Sequence, residues 1–156
     1  MRIAFANDHA AFSERVSILA HLRELGHEVL DFGTDSPESV DYPMQVVPAV
    51  QALLSGQADR MVVMCGSGIG ISIAANRHPG VRCALCTDEF GARMCRMHNN
   101  ANALALRARE QDPALNLRIL DTWLTTGYEG GRHERRVKQL DELPAKFGCD
   151  CGCGCE

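Results

Sequence analysis

Short apolar runs alternate with helical stretches along nearly the whole chain, and this alternation limits the fold more than any single motif does. Residues 2–6, 28–32, 61–64, 81–86 and 103–106 read as buried strands. Between them, apolar positions 12, 16, 19, 22 and 25 fall at helical spacing before Gly26, and residues 42–54, 69–76 and 88–97 read as further helices. Pro48 sits inside the second of these, where it costs hydrogen bonding outside the first turn. Asp112-Pro113 supplies an N-cap and first-turn pair for a helix carrying Leu117, Leu120 and Leu124, and a charged helix from about residue 133 carries Val137, Leu140 and Leu143. Parallel neighbours need crossover helices, so the pattern predicts an α/β fold with a parallel sheet covered on both faces.

In such sheets ligands bind outside the carboxyl ends of the strands. Those ends carry Asn7-Asp8-His9, Cys65-Gly66-Ser67, Thr87-Asp88 and residues 107–109, so the polar and reactive residues gather at one rim. The 156 residues, 46% hydrophobic, suffice for one core and are too few for a second full domain. A net charge of −4 provides no basic field for nucleic acid or an anionic membrane surface, and any anionic ligand must be held by local cations. The apolar run at residues 3–6 is far too short for a signal peptide or a membrane span, which points to the cytoplasm. Cys65, Cys83, Cys86 and Cys95 are scattered through apolar segments, unlike a secreted disulfide framework.

The run Cys65-Gly66-Ser67-Gly68-Ile69-Gly70 lacks the spacing of a dinucleotide fingerprint and the Lys-Ser/Thr ending of a P-loop. On its own it is either a tight strand-to-helix turn or a loop whose amides meet an anion at a helix N-terminus. Cys65 closes its strand directly before that helix, an environment that favours a thiolate able to act as base or nucleophile. The alternative is an inert buried thiol. His9 and His98-Asn99 fit polar turns as well as functional sites, and Arg132 and Arg136, four apart, share one helix face.

Taken together, Asp8-His9, Asp41-Tyr42-Pro43, Cys65 through Asn76, His98-Asn99 and Tyr128-Glu129-Gly130-Gly131-Arg132-His133 resemble the type B ribose-5-phosphate isomerases, a family that includes allose-6-phosphate and galactose-6-phosphate isomerases. The resemblance spans about residues 1 to 143. It implies a Rossmann-like three-layer sandwich with a five-stranded parallel sheet, a homodimer with a tetramer as the alternative, and aldose–ketose isomerisation of a phosphorylated sugar without metal or organic cofactor. By matching position it assigns Cys65 as the base and His98 as the ring-opening group. Ser67 and the amides of Gly66, Gly68, Ile69 and Gly70 would hold the enediolate oxygen. Asp8, His9, Tyr42 and Asn99 would contact the sugar, and Arg109, Arg132 and Arg136 the phosphate, with His98, Asn99 and Arg109 reaching across the dimer.

This chemistry suits the residues. Proton removal beside a carbonyl needs a base and donors aimed at the oxygen that gains charge, and guanidinium forks grip phosphate in pairs. Many relatives have Gly-Cys where this chain has Ala6-Asn7, and a branch that uses a glutamate on the following helix is excluded by Ala74 and Ala75. Arg107 stands where a small residue is usual. The isomerase domain is expected over residues 1–146. Residues 147–156, with Cys149, Cys151, Cys153 and Cys155, read as a flexible, oxidisable tail in preference to a soft-metal site, because structural zinc sites use Cys-x-x-Cys turns. Two other classes stand beside the isomerase: a non-catalytic phosphosugar or nucleotide sensor, and a thiol- or metal-handling protein.

Overall fold

The computed structural model describes residues 1–147, and the cysteines of the expected tail, Cys149 to Cys155, lie outside the described residues. Five strands, β1 (Arg2–Asn7), β2 (Glu28–Asp31), β3 (Arg60–Cys65), β4 (Cys83–Leu85) and β5 (Ala103–Arg107), form one parallel sheet in the order β2-β1-β3-β5-β4. The helices are α1 (Phe12–Glu24), α2 (Tyr42–Leu54), α3 (Ile69–Asn76), α4 (Glu89–Asn99), α5 (Pro113–Thr125) and α6 (Arg132–Phe147). The expected Rossmann-like sandwich is therefore what the chain folds into. None of the described helices is long and apolar enough to cross a membrane.

Strand side chains alternate between faces, and the two faces differ in size. Ile3, Phe5, Val62, Met64, Leu104 and Leu106 meet α1, α4 and α5, with Trp123 fully buried among them. Ala4, Ala6, Val63, Cys65, Ala103 and Ala105 meet α2 and α3. Methyl-sized side chains on that second face let α3, itself rich in small residues, lie close to the sheet. Arg60 stacks on the Trp123 ring 5.1 Å from its centroid, and its Nη1 donates to the Trp123 and Leu124 carbonyls, closing the last turn of α5.

Three local expectations are corrected. The inward stripe of α1 runs through Glu14, Ile18, Leu19 and Leu22, whereas Val16 and Leu25 are exposed. A buried carboxylate holds an inward position there, accepting from Asn116 Nδ2 at 2.9 Å, and apolar spacing cannot reveal that. β4 is shorter than residues 81–86 because the backbone amides of Arg82 and Cys83 donate to the side chains of Asn102 and Asn76. α4 runs past residue 97 to include His98 and Asn99, and stops at Asn100, whose left-handed φ of 46° caps it. α2 spans residues 42–54 as expected and keeps Pro48 on its exposed side.

Candidate active site

The strand order reverses between β1 and β3, where neighbouring connections leave in opposite directions and open a crevice at the carboxyl rim. Asn7 is registered with Met64, and the Asp8 amide donates to the Met64 carbonyl at 3.1 Å, so the first loop lies directly against Cys65. A cleft of about 440 Å3 opens there. It is lined by Asp8, His9, Ala10, Tyr42, Cys65, Gly66, Ser67, Ile69, Gly70, Arg107, Arg109 and Glu110.

Cys65 ends β3 on the small-residue face, is almost wholly buried and lines this cleft. The chain then turns sharply into α3. Gly68 has φ +73°, and a Cβ there would lie 2.9 Å from the Leu106 carbonyl oxygen, so only glycine fits. A Cβ on Gly70 would strike the Tyr42 ring, so the missing side chain is what lets Tyr42 lean over the start of α3. The first-turn amides of α3 lack intrahelical acceptors, and Ile69 and Gly70 line the cleft, where such a helix end favours an anion. The Ser67 hydroxyl accepts from the Ile69 amide at 3.3 Å and keeps its own proton to donate.

Asp8 Oδ1 accepts the Ala10 amide at 2.9 Å, starting the 3-10 turn His9–Ala11. The Val40 amide donates to His9 Nδ1 at 3.2 Å, which leaves the proton of the neutral ring on Nε2. Across the cleft, the Ala108 and Arg109 amides donate to the Cys65 and Gly66 carbonyls, prolonging the β3–β5 ladder and setting Arg109 over the loop. The Arg109 guanidinium has no hydrogen bond or ion pair among the described residues. Arg107 is committed differently: its Nε donates to Gln111 Oε1 at 2.7 Å and its Nη2 to the Glu110 carbonyl, bracing the turn that presents Arg109.

The remaining predicted residues gather elsewhere. His98, Asn99, Arg132 and Arg136 do not line the Cys65 cleft. His98 stacks on His133 with ring centroids 4.2 Å apart and 9° between planes, and the Glu129 carboxylate lies 3.7 Å from His98 Nε2 and 3.5 Å from His133 Nε2. Arg132 Nε donates to His133 Nε2. Burial, with the positive fields of His98, Arg132 and Arg136, pushes His133 below the ordinary histidine value, so it stays neutral beside His98. The spacing of His98, Glu129 and His133 would suit a metal ion, but stacked rings hold their lone pairs parallel and cannot converge on one ion.

Arg109, which the resemblance sends across a dimer, lines the cleft of its own chain. Glu129, His133 and Glu110 were not singled out as site residues from sequence. The only signal for the first two was their place in the run from Tyr128 to His133.

An open parallel sheet with a glycine turn, a thiol and an unpaired guanidinium at its switch point defines a small-molecule site of the Rossmann-like α/β class. A family model described as Ribose/Galactose Isomerase matches residues 3–140, and the chain belongs to that family. It is 42% identical over 142 residues to "Ribose-5-phosphate isomerase B" of Escherichia coli (strain K12), covering 91% of this chain and 95% of that protein. Among solved structures, ribose-5-phosphate isomerase B of Clostridium thermocellum superposes with a TM-score of 0.92 at 46% identity, covering 94% of this chain and 99% of that one. The ribose 5-phosphate isomerase of Thermotoga maritima gives 0.88 at 49% identity, covering 90% and 97%.

Proposed function

We propose that this chain interconverts an aldose phosphate and a ketose phosphate, with ribose 5-phosphate and ribulose 5-phosphate as the first pair. The observation that carries the reading is Cys65 at the mouth of the β1–β3 crevice, beneath the first-turn amides of α3 and flanked by Asp8, His9 and Tyr42. The names of its relatives support the same substrate class.

In this mechanism the Cys65 thiolate removes the proton from carbon 2 of the open aldose. Negative charge moves to the oxygen on carbon 1, where the Ser67 hydroxyl and the amides of the 66–70 loop stabilise it. The hydroxyl proton on the carbon-2 oxygen passes to the carbon-1 oxygen, and Cys65 returns its proton to carbon 1 as the carbonyl forms at carbon 2. Asp8, His9 and Tyr42 hold the sugar hydroxyls, and Arg109 takes the phosphate. Ring opening is assigned to His98, with Asn99 on the sugar and Arg132 and Arg136 on the phosphate. Because this second group does not line the cleft of its own chain, the complete site is assembled in a homodimer, each subunit presenting its His98 side to the other's Cys65. We also infer a cytoplasmic location, since cysteines such as Cys65 stay reduced there.

The test is a coupled isomerisation assay on ribose 5-phosphate with the full chain and Cys65→Ala. Loss of turnover by at least about a hundredfold is expected for removal of a general base, and turnover equal to wild type would remove Cys65 from that role. Allose and galactose 6-phosphates belong in the same screen. Tight binding without solvent-hydrogen exchange at the sugar carbons would instead identify a phosphosugar sensor.

A further inference from the structure

Three cysteines of the described chain take no part in the chemistry above, and two of them face each other. Cys86 follows β4 and Cys95 lies on α4, with their sulfur atoms 3.9 Å apart. Cys86 is buried, whereas Cys95 is partly exposed and borders a second cavity of about 310 Å3 that also contacts Cys83, Arg82 and Asn99. A reagent of water-like size therefore reaches Cys95 first. The two sulfurs are electrostatically unequal. A hydrogen bond from the Cys86 thiol holds Cys95 below the usual thiol range, aided by the charge of Arg96, while that same bond and burial push Cys86 up. Burial also pushes Cys83 up to about 12, so it remains a thiol. Cys95 is thus the attacking sulfur and Cys86 the one that resolves it.

We propose that Cys86 and Cys95 form a reversible disulfide when the chain meets a hydroperoxide, and that this bond slows turnover by displacing α4 and the His98 it carries. The Cys95 thiolate attacks the peroxide, forming an S–O bond as the O–O bond breaks, and the leaving oxygen takes up a proton. Cys86 then loses its proton and attacks the Cys95 sulfur, forming the S–S bond as hydroxide leaves and is protonated to water. Two thiols lose two electrons, which reduce hydrogen peroxide to two waters. To bond, the sulfurs close from 3.9 Å to about 2.05 Å. The end of α4 is held by Arg96, whose Nη1 donates to the Ala101 carbonyl at 2.6 Å, and His98 stands three residues beyond Cys95. Movement of Cys95 is therefore felt at His98.

The effect on turnover rests on the role given to His98 above, whereas the disulfide does not. The experiment treats the full chain with hydrogen peroxide, blocks remaining thiols with N-ethylmaleimide, and maps tryptic peptides without reduction, since cleavage after Arg93 separates the two cysteines. A cross-linked peptide containing Cys86 and Cys95 is expected, absent from Cys86→Ser and removed by dithiothreitol. Turnover should fall several-fold further in wild type than in Cys86→Ser, where Cys65 and Cys95 can still oxidise but no disulfide can join β4 to α4, and dithiothreitol should restore the difference. Alkylation of both cysteines after other thiols have oxidised would overturn the disulfide. Cross-linking with equal residual turnover in the two proteins would overturn the coupling to α4. A chain that cross-links but never isomerises any sugar phosphate would count against the proposed function alone.

Discussion

At the scale of single residues, the site divides labour between groups fixed by backbone and groups left free. Arg107 and Arg109 illustrate it: one guanidinium is spent bracing its own turn, and the other is left unpaired over the loop. Arg109→Lys keeps the charge but loses the planar fork. It should raise KM for ribose 5-phosphate about tenfold, the loss of one charged hydrogen bond of about 1.5 kcal/mol, with kcat little changed; an unaltered KM would take Arg109 off the phosphate. The Glu129 carboxylate lies within 3.7 Å of both stacked rings and steadies the His98 ring against His133. Glu129→Gln should lower kcat several-fold on the ring-closed substrate while leaving KM near wild type, and a pure KM effect would contradict this positioning role. Neither the place of Glu129 nor the bracing of the turn by Arg107 was legible in the sequence, because both depend on which side chain a turn happens to face.

Among the elements, α2 and α3 begin and end where the sequence places them, since Pro43, the glycines and small residues punctuate the chain locally. The inward face of α1 was not legible, because its key inward residue is the hydrogen-bonded carboxylate of Glu14. The start of β4 was obscured for a related reason: asparagine side chains occupy ladder positions that hydropathy assigns to backbone. Two glycines of the α3 turn should separate experimentally. Gly68→Ala forces a left-handed φ and a clash with the Leu106 carbonyl, so it should destabilise the fold by more than about 1 kcal/mol. Gly70→Ala meets only the Tyr42 ring, which can swing away, so it should raise KM with a small change in Tm. Equal Tm losses in the two variants would show that the Tyr42 contact supports the fold and not the ligand.

For the whole molecule, the cleft half of the site was legible because Asp8, Cys65 and Arg109 sit at strand ends, and strand ends share one rim. The separation of His98 from that cleft was implied by the resemblance alone, since no sequence pattern tells which rim of the sheet a helix terminus overlooks. Subunit mixing tests the consequence. Cys65→Ala and His98→Asn chains, each inactive alone, should recover roughly a quarter of wild-type turnover when co-expressed, because half the dimers are mixed and each has one intact site. No recovery would mean that each chain builds its site alone. Stability has its own molecular signature in Glu14, whose carboxyl burial raises above its ordinary 4.5. The folded chain binds that proton more tightly than the unfolded one, so the contribution is complete below about pH 4.5 and is lost as pH rises through the folded value. Glu14→Gln keeps an acceptor for Asn116 and should show a smaller fall in Tm than wild type between about pH 4.5 and pH 7; identical slopes would show that Glu14 is not the group responsible.

The alanine-lined face of the sheet also sets what can be re-engineered. On this face β1 and β5 contribute the methyls of Ala4, Ala6, Ala103 and Ala105, so these two strands hold no bulk to trim. On the opposite side Tyr42 lines the cleft and is itself exposed. A library meant to fit longer or shorter sugars should therefore vary Tyr42 and leave the strands untouched, much as a vice is adjusted by its sliding jaw.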